Sequence, residues 1–321
     1  MSILWMAAGC ADSSDSASEK NTQKEHQNIN LNNIADALLQ SNPEPAPGES
    51  GGDWIMFGLA RWGEAESKNR FEGYYEKLAE YVKQNEGILH SKKYTEYSRT
   101  ILVLTAMGKD PSNVAGYNLL EPLADFEQTV FQGVNGAAFA LLALDSGSYE
   151  IPENKYGTIQ ATRQMYVEHL LEKESVGGGW SLAGGVAEAD MTAMVLQALA
   201  KYKEDEAVEA AIDRGLAVLS RMQSEAGGYI SYDVESSESI SQVIVALCEL
   251  GIDLNDARFV KNGRTLEDRL MDFQIEGGAF RHTLDGDINV MATEQAFYAL
   301  VAIDRTKDDR TTLYDMTDVK S

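Results

Sequence analysis

The chain has 321 residues, room for one large domain or two ordinary ones, and 44% of them are hydrophobic, enough for a real core. Its 27 Lys and Arg against 51 Asp and Glu leave a formal charge of -24. That balance excludes a nucleic-acid role, since phosphate contacts need clustered basic side chains, and disfavours long-range attraction to anionic membranes or substrates.

Met1 to Cys10 reads as the remnant of a secretion signal. The small residues Ala7-Ala8-Gly9 resemble the end of a bacterial lipobox, with Cys10 as the lipidated residue; the alternative is a disordered terminus with an incidental cysteine. Residues 11–29, rich in Ser, Asp, Glu and Lys, fit a flexible tether. No apolar run reaches the length of a membrane-spanning helix, so any membrane contact is expected through the lipid anchor alone.

From residue 30 the periodicity is helical almost throughout. Ile34, Leu38 and Leu39 mark a short first helix, ended by the proline-rich stretch from Asn42 to Gly48. Asp53 is placed to cap an apolar helix from Trp54 to Trp62, and a more charged helix follows from Lys68 to Gln84. The pattern continues with Tyr94 to Met107, Asn118 to Glu127, Asn135 to Leu144, Thr158 to Glu174, Asp190 to Lys201, Glu206 to Met222, Glu238 to Leu250, Thr265 to Phe273 and Met291 to Ile303. Helices apolar on most of their surface alternate with amphipathic or polar ones, six of each. A helix of the first kind must be buried on all sides. The expected architecture is therefore all-α: an α6/α6 toroid over residues 30–305, an inner ring of helices wrapped by an outer ring. Residues 306–321 read as a polar tail that either packs on the barrel through Leu313, Tyr314 and Met316 or joins a further module.

A unit recurs at about fifty residues. Gly177-Gly178-Gly179-Trp180 leads into the helix at Asp190, Gly227-Gly228-Tyr229 into the helix at Glu238, and Gly277-Gly278-Ala279-Phe280 into the helix at Met291. These units resemble the repeats of protein prenyltransferase β subunits and squalene–hopene-type cyclases, most closely a group of secreted bacterial surface toroids; vitamin-B12 carrier proteins use a similar barrel. The resemblance implies a terpenoid-cyclase fold and two sites that can be compared residue by residue. Zinc-dependent prenylation needs an Asp with a Cys two residues on, but Thr192 follows Asp190, and the expected histidine falls at Met291-Ala292. No metal site or cofactor is therefore expected. The cyclase acid motif Asp-x-Asp-Asp-Thr-Ala corresponds to Glu188-Ala189-Asp190-Met191-Thr192-Ala193, which keeps the middle acid as Asp190 and replaces the third by Met191.

Asp190 consequently has two readings: a helix N-cap, with its pKa lowered by the helix end, or an acid at the barrel mouth. Glu238 is equivalent by repeat and shares both. Trp180, Tyr229 and Phe280 are wedges between helices or stacking surfaces for a ligand. Trp54, Tyr97, Asn135, Glu188, Ser241, Glu294 and Gln295 are candidates for polar or aromatic contacts in the lumen, and Arg281 and His282 for contact with an anionic group. The expected function is an exported, cell-surface module binding a small apolar or amphipathic ligand, alone or beside other surface modules. The alternatives are a terpenoid-cyclase-type enzyme with Asp190 as general acid, a carbohydrate-active toroid in which paired acids such as Asp190 and Glu238 cleave a glycosidic bond, and a purely structural module.

Overall fold

The computed structural model describes residues 30–49, 51–63, 68–155, 157–231 and 234–319; Cys10 and the signal and tether readings lie outside the described residues. In chain order the helices are α1 (Leu31–Ser41), α2 (Asp53–Trp62), α3 (Lys68–Gln84), α4 (Thr95–Ala106), α5 (Phe126–Thr129), α6 (Val134–Ser146), α7 (Arg163–Glu172), α8 (Ala189–Leu199), α9 (Glu206–Met222), α10 (Ser237–Leu250), α11 (Leu266–Met271) and α12 (Val290–Lys307). None of them is long and apolar enough to cross a membrane.

Apolar helices need neighbours on every side, and the six even-numbered ones find them by closing a ring. α2 packs on α4, α4 on α6, α6 on α8, α8 on α10, α10 on α12, and α12 back on α2. Outside it, α1 covers α12, α7 covers α6, α9 covers α8 and α11 covers α10. The expected α6/α6 toroid is the observed fold. The stretch expected as one helix from Asn118 to Glu127 is instead a 3-10 turn (Glu121–Ala124) followed by α5, because Asp125 between them is extended and pairs with Gln160. The helix expected from Thr158 starts only at Arg163, capped by the Thr162 hydroxyl, since Gln160 pairs with Asp125 in an extended bridge.

The inner helices run in one direction. Arg99 of α4 reaches Asp53 at the start of α2, while Arg305 near the end of α12 donates to the carbonyl of Arg61 near the end of α2. Six helix starts therefore share one rim. The rim connections explain the glycine repeat. In each copy the turn closes with the same two hydrogen bonds, Ser175 N to Gly179 O and Gly178 N to Ser175 O in the first. The glycine two places before the aromatic has a left-handed φ in all three copies, +102° at Gly178, +97° at Gly227 and +96° at Gly278. At Gly278 a Cβ would also stand 2.5 Å from the Asn33 carbonyl oxygen of α1. Gly278→Ala is therefore expected to cost at least about 1–2 kcal/mol for the backbone alone, read as a lowered urea midpoint; an unchanged midpoint would refute this packing.

Residues 310–319 close the other rim. Arg61, 1% exposed, donates to the carbonyl oxygens of Thr312, Leu313 and Asp315 and pairs with Asp318, which Arg305 also holds. Glu249 of α10 accepts from Tyr314 N and Thr312 Oγ1, and Met316 N donates to Ser146 O of α6. The tail is thus the floor of the barrel.

Candidate functional site

Burial along the inner helices shows where the lumen lies. In α8 Asp190 and Met194 are partly exposed between buried neighbours, in α10 Glu238 and Gln242, and in α12 Gln295, with Met291 exposed one turn earlier at the rim. Each pair is four residues apart, one turn, so each forms a single stripe facing the axis. Across the ring, Trp54 of α2 lies against Phe139 of α6 (centroids 6.0 Å apart) and Tyr298 of α12 (5.8 Å), both tilted to its ring. What stays open is a cavity of about 390 Å3 bounded by α8, α10 and α12, with Trp54, Phe139 and Tyr298 as its apolar wall and Tyr314 of the tail as its floor. Its lip carries Asp190, Glu238, His282 and the short hairpin of β1 (Ile230–Ser231) and β2 (Val234–Glu235). Tyr314 is itself fixed from below, stacked on Phe57 at 5.6 Å.

A chain of amides runs around the wall. Gln197 Nε2 donates to Gln242 Oε1 (3.0 Å), and Gln242 Nε2 donates to Gln295 Oε1 (3.0 Å) and to the Tyr298 hydroxyl (2.6 Å). These bonds tie α8, α10 and α12 together at one height and fix the polar girdle of the cavity.

The capping reading of Asp190 is corrected by the structure. α8 begins at Ala189 with Glu188 as its cap residue; neither acid caps through its side chain, and the Glu188 carboxylate accepts instead from Leu182 N. Asp190 sits in the first turn with Oδ1 buried and accepting no hydrogen bond. Its pKa is raised rather than lowered: burial is the main cause, with repulsion from Glu238 and Glu188 adding and a hydrogen bond with Ser239 opposing. Asp53 likewise does not cap its helix; its buried carboxylate accepts from Tyr74, Gly48 N and Arg99. Glu238 is held by His282, whose Nδ1 lies 2.8 Å from Oε2.

The cavity brings together Trp54, Asp190, Glu238, Gln295 and His282 from among the sequence candidates. Trp180, Tyr229 and Phe280 are fully buried wedges. Trp180 Nε1 donates to Leu170 O, and its backbone is pinned by Thr192 Oγ1, as Phe280 is by Thr293. Thr192, standing where a zinc thiolate would, thus has a structural task. Ser241 is buried with its hydroxyl on Ser237 O, and Tyr97 is buried with its hydroxyl accepting from Leu89 N. Ser241 lies one residue from the lumen stripe of α10, a turn of about 100° away. Asn135 is partly buried, with Oδ1 unpaired. Phe139, Met194, Gln242 and Tyr298 were not singled out by sequence, although the first three follow one helical turn after the first-turn positions Asn135, Asp190 and Glu238; Tyr314 was read only as packing the tail on the barrel.

Glu294 is 2% exposed, and its Oε2 accepts nothing. Burial pushes its pKa up to about 8; Arg99 opposes this, while Asp53 and Glu238 add to it. The unfolded chain ionises Glu at about 4.3, so this group's stabilising effect is complete below that pH and is lost as pH rises through about 8. Glu294→Gln should therefore melt close to the wild type at pH 4 and increasingly above it up to pH 8; a difference independent of pH would contradict the assignment.

No protein-family model matches the sequence, and no functionally curated protein matches it. Solved structures do match. A type II terpene cyclase from Scytonema aligns over 86% of this chain and 98% of its own, at 13% identity and TM-score 0.55. The unsaturated glucuronyl hydrolase from Bacillus sp. GL1, responsible for glycosaminoglycan degradation, aligns over 90% and 98%, at 10% identity and TM-score 0.60. The protein geranylgeranyltransferase-I of Candida albicans, complexed with GGPP, aligns over 87% and 92%, at 11% identity and TM-score 0.55. With the closed double ring and its single rim of helix starts, these likenesses establish that the chain has the α/α-toroid fold of the terpene cyclases, prenyltransferases and glucuronyl hydrolases.

Proposed function

We propose that the lumen binds a small amphipathic ligand, its apolar body against Trp54, Phe139, Tyr298 and Met194 and its polar end at the Asp190–Glu238 lip. The observation that carries this reading is the cavity itself: about 390 Å3, within the range of small-molecule sites, walled by aromatic side chains and edged by a few polar groups. Prenyl diphosphate chemistry is disfavoured, since no Lys or Arg stands among the described residues lining the cavity. The expected setting remains an exported protein held at a membrane through Cys10. The test is calorimetric titration with hexanol. One site per chain should bind it, and Met194→Trp, which fills the cavity, should abolish binding while leaving Tm within a few degrees. Binding that survives the filled cavity would sink the proposal.

A second reading is favoured by Asp190 alone. A carboxyl with a raised pKa over an aromatic wall is the arrangement a general acid needs. Turnover of a polyprenyl substrate, lost in Asp190→Asn, would support it; absence of turnover by the wild type would rule it out.

A further inference from the structure

The lip and wall of the cavity restrict the charge of what enters. Its acids lack counter-charges: Oδ1 of Asp190 is buried and accepts nothing from the protein. Asp190 is pushed above its ordinary range by burial, with repulsion from Glu238 and Glu188 adding. His282, the one basic side chain among the described lining residues, is engaged with Glu238. Buried acceptors of this kind are costly until a donor satisfies them, and a donor that also carries positive charge satisfies them best. Beneath them, Trp54, Phe139 and Tyr298 present an apolar wall that suits both hydrocarbon and a cation's flank. The overall charge of -24 draws cations and repels anions at longer range.

We infer that the ligand is an organic ammonium ion bearing N–H donors, its charged head lodged between Asp190 and Glu238 and its hydrocarbon body against Trp54. The inference rests on the lumen being a ligand cavity and adds the ligand's charge and donor chemistry. Asp190 accepts the head directly through Oδ1, and Glu238 completes the negative lip. A fatty acid, a phosphate ester or a diphosphate would meet carboxylates where it needs donors.

The test is a comparison of three probes of one chain length, hexylammonium, hexanol and hexanoate, titrated calorimetrically at pH 7 and low salt. Hexylammonium should bind at least about tenfold more tightly than hexanol, and hexanoate should not bind. In Asp190→Asn and Glu238→Gln the ratio of hexylammonium to hexanol affinity should fall toward one. Equal or tighter binding of hexanol, or an ammonium preference that survives both substitutions, would overturn the inference while leaving the cavity reading intact. If none of the three binds, the cavity reading falls with it.

Discussion

Trp180→Ala is expected to cost about 3–5 kcal/mol, a drop in melting temperature of roughly 10 °C for a chain of this size, without altering ligand affinity in the protein that remains folded. The indole is fully buried and donates to the Leu170 carbonyl at 2.7 Å, so truncation leaves a cavity and removes one of the hydrogen bonds that carbonyl accepts at the end of α7. The surroundings have little freedom to collapse. The Trp180 ring lies over Gly215 of α9, where even a Cβ would approach to 3.1 Å, and its backbone is held to α8 by Thr192. The residue thus joins α7, α8 and α9 in one wedge. Thermal unfolding checks this: a Tm within a degree or two of the wild type, or a loss confined to ligand binding, would mean that Trp180 is a stacking surface after all.

Removing Arg61 should have an effect of similar size by a different route. Arg61→Ala deletes a buried guanidinium that serves three carbonyl oxygens of the tail and one carboxylate, and the orphaned acceptors are worth about 3–5 kcal/mol together. The expected outcome is a lower Tm and early cleavage of the C-terminal residues in limited proteolysis, because the tail is then held mainly by Arg305, Glu249 and the Met316 N–Ser146 O bond. Ligand binding should weaken too, since Tyr314 forms the floor of the lumen on one side and lines a second cavity of about 240 Å3 on the other. Acid should loosen the same joint. Partial burial alone would raise the pKa of Asp318, but hydrogen bonds from Arg305 and Arg61 bring it down to about 2. Its contribution is present above the ordinary carboxylate range and is lost as pH falls toward 2, so wild type and Arg61→Ala should converge in stability on acidification. A protease-resistant tail in Arg61→Ala would contradict the plug.

The double ring was legible because its determinants are local. Alternating apolar and amphipathic helices, and glycines that only a left-handed turn explains, need no knowledge of distant neighbours. The lumen was less legible. Asp190, Glu238 and Trp54 stood out by type at helix starts, yet Ser241 and Tyr97 were equally plausible by type. A displacement of one residue turns a side chain from the lumen into the wall, and only the closed ring fixes the helix rotation. Of the two readings of Asp190, the cap follows from a local rule that places an acid at a helix start, whereas the helix begins one residue earlier and Asp190 lines the cavity. Tyr314 was legible as a residue that could pack the tail on the barrel, but that the tail returns to Arg61, more than 250 residues earlier, is decided by the buried guanidinium it satisfies.

The lumen as a ligand cavity is tested most directly by native mass spectrometry of the protein purified from its source, alongside Met194→Trp prepared identically. The account predicts a discrete small mass that stays with the wild-type chain under gentle conditions, leaves on activation, and is absent from Met194→Trp. The same bound mass on both proteins, or the bare chain mass for both, would contradict it.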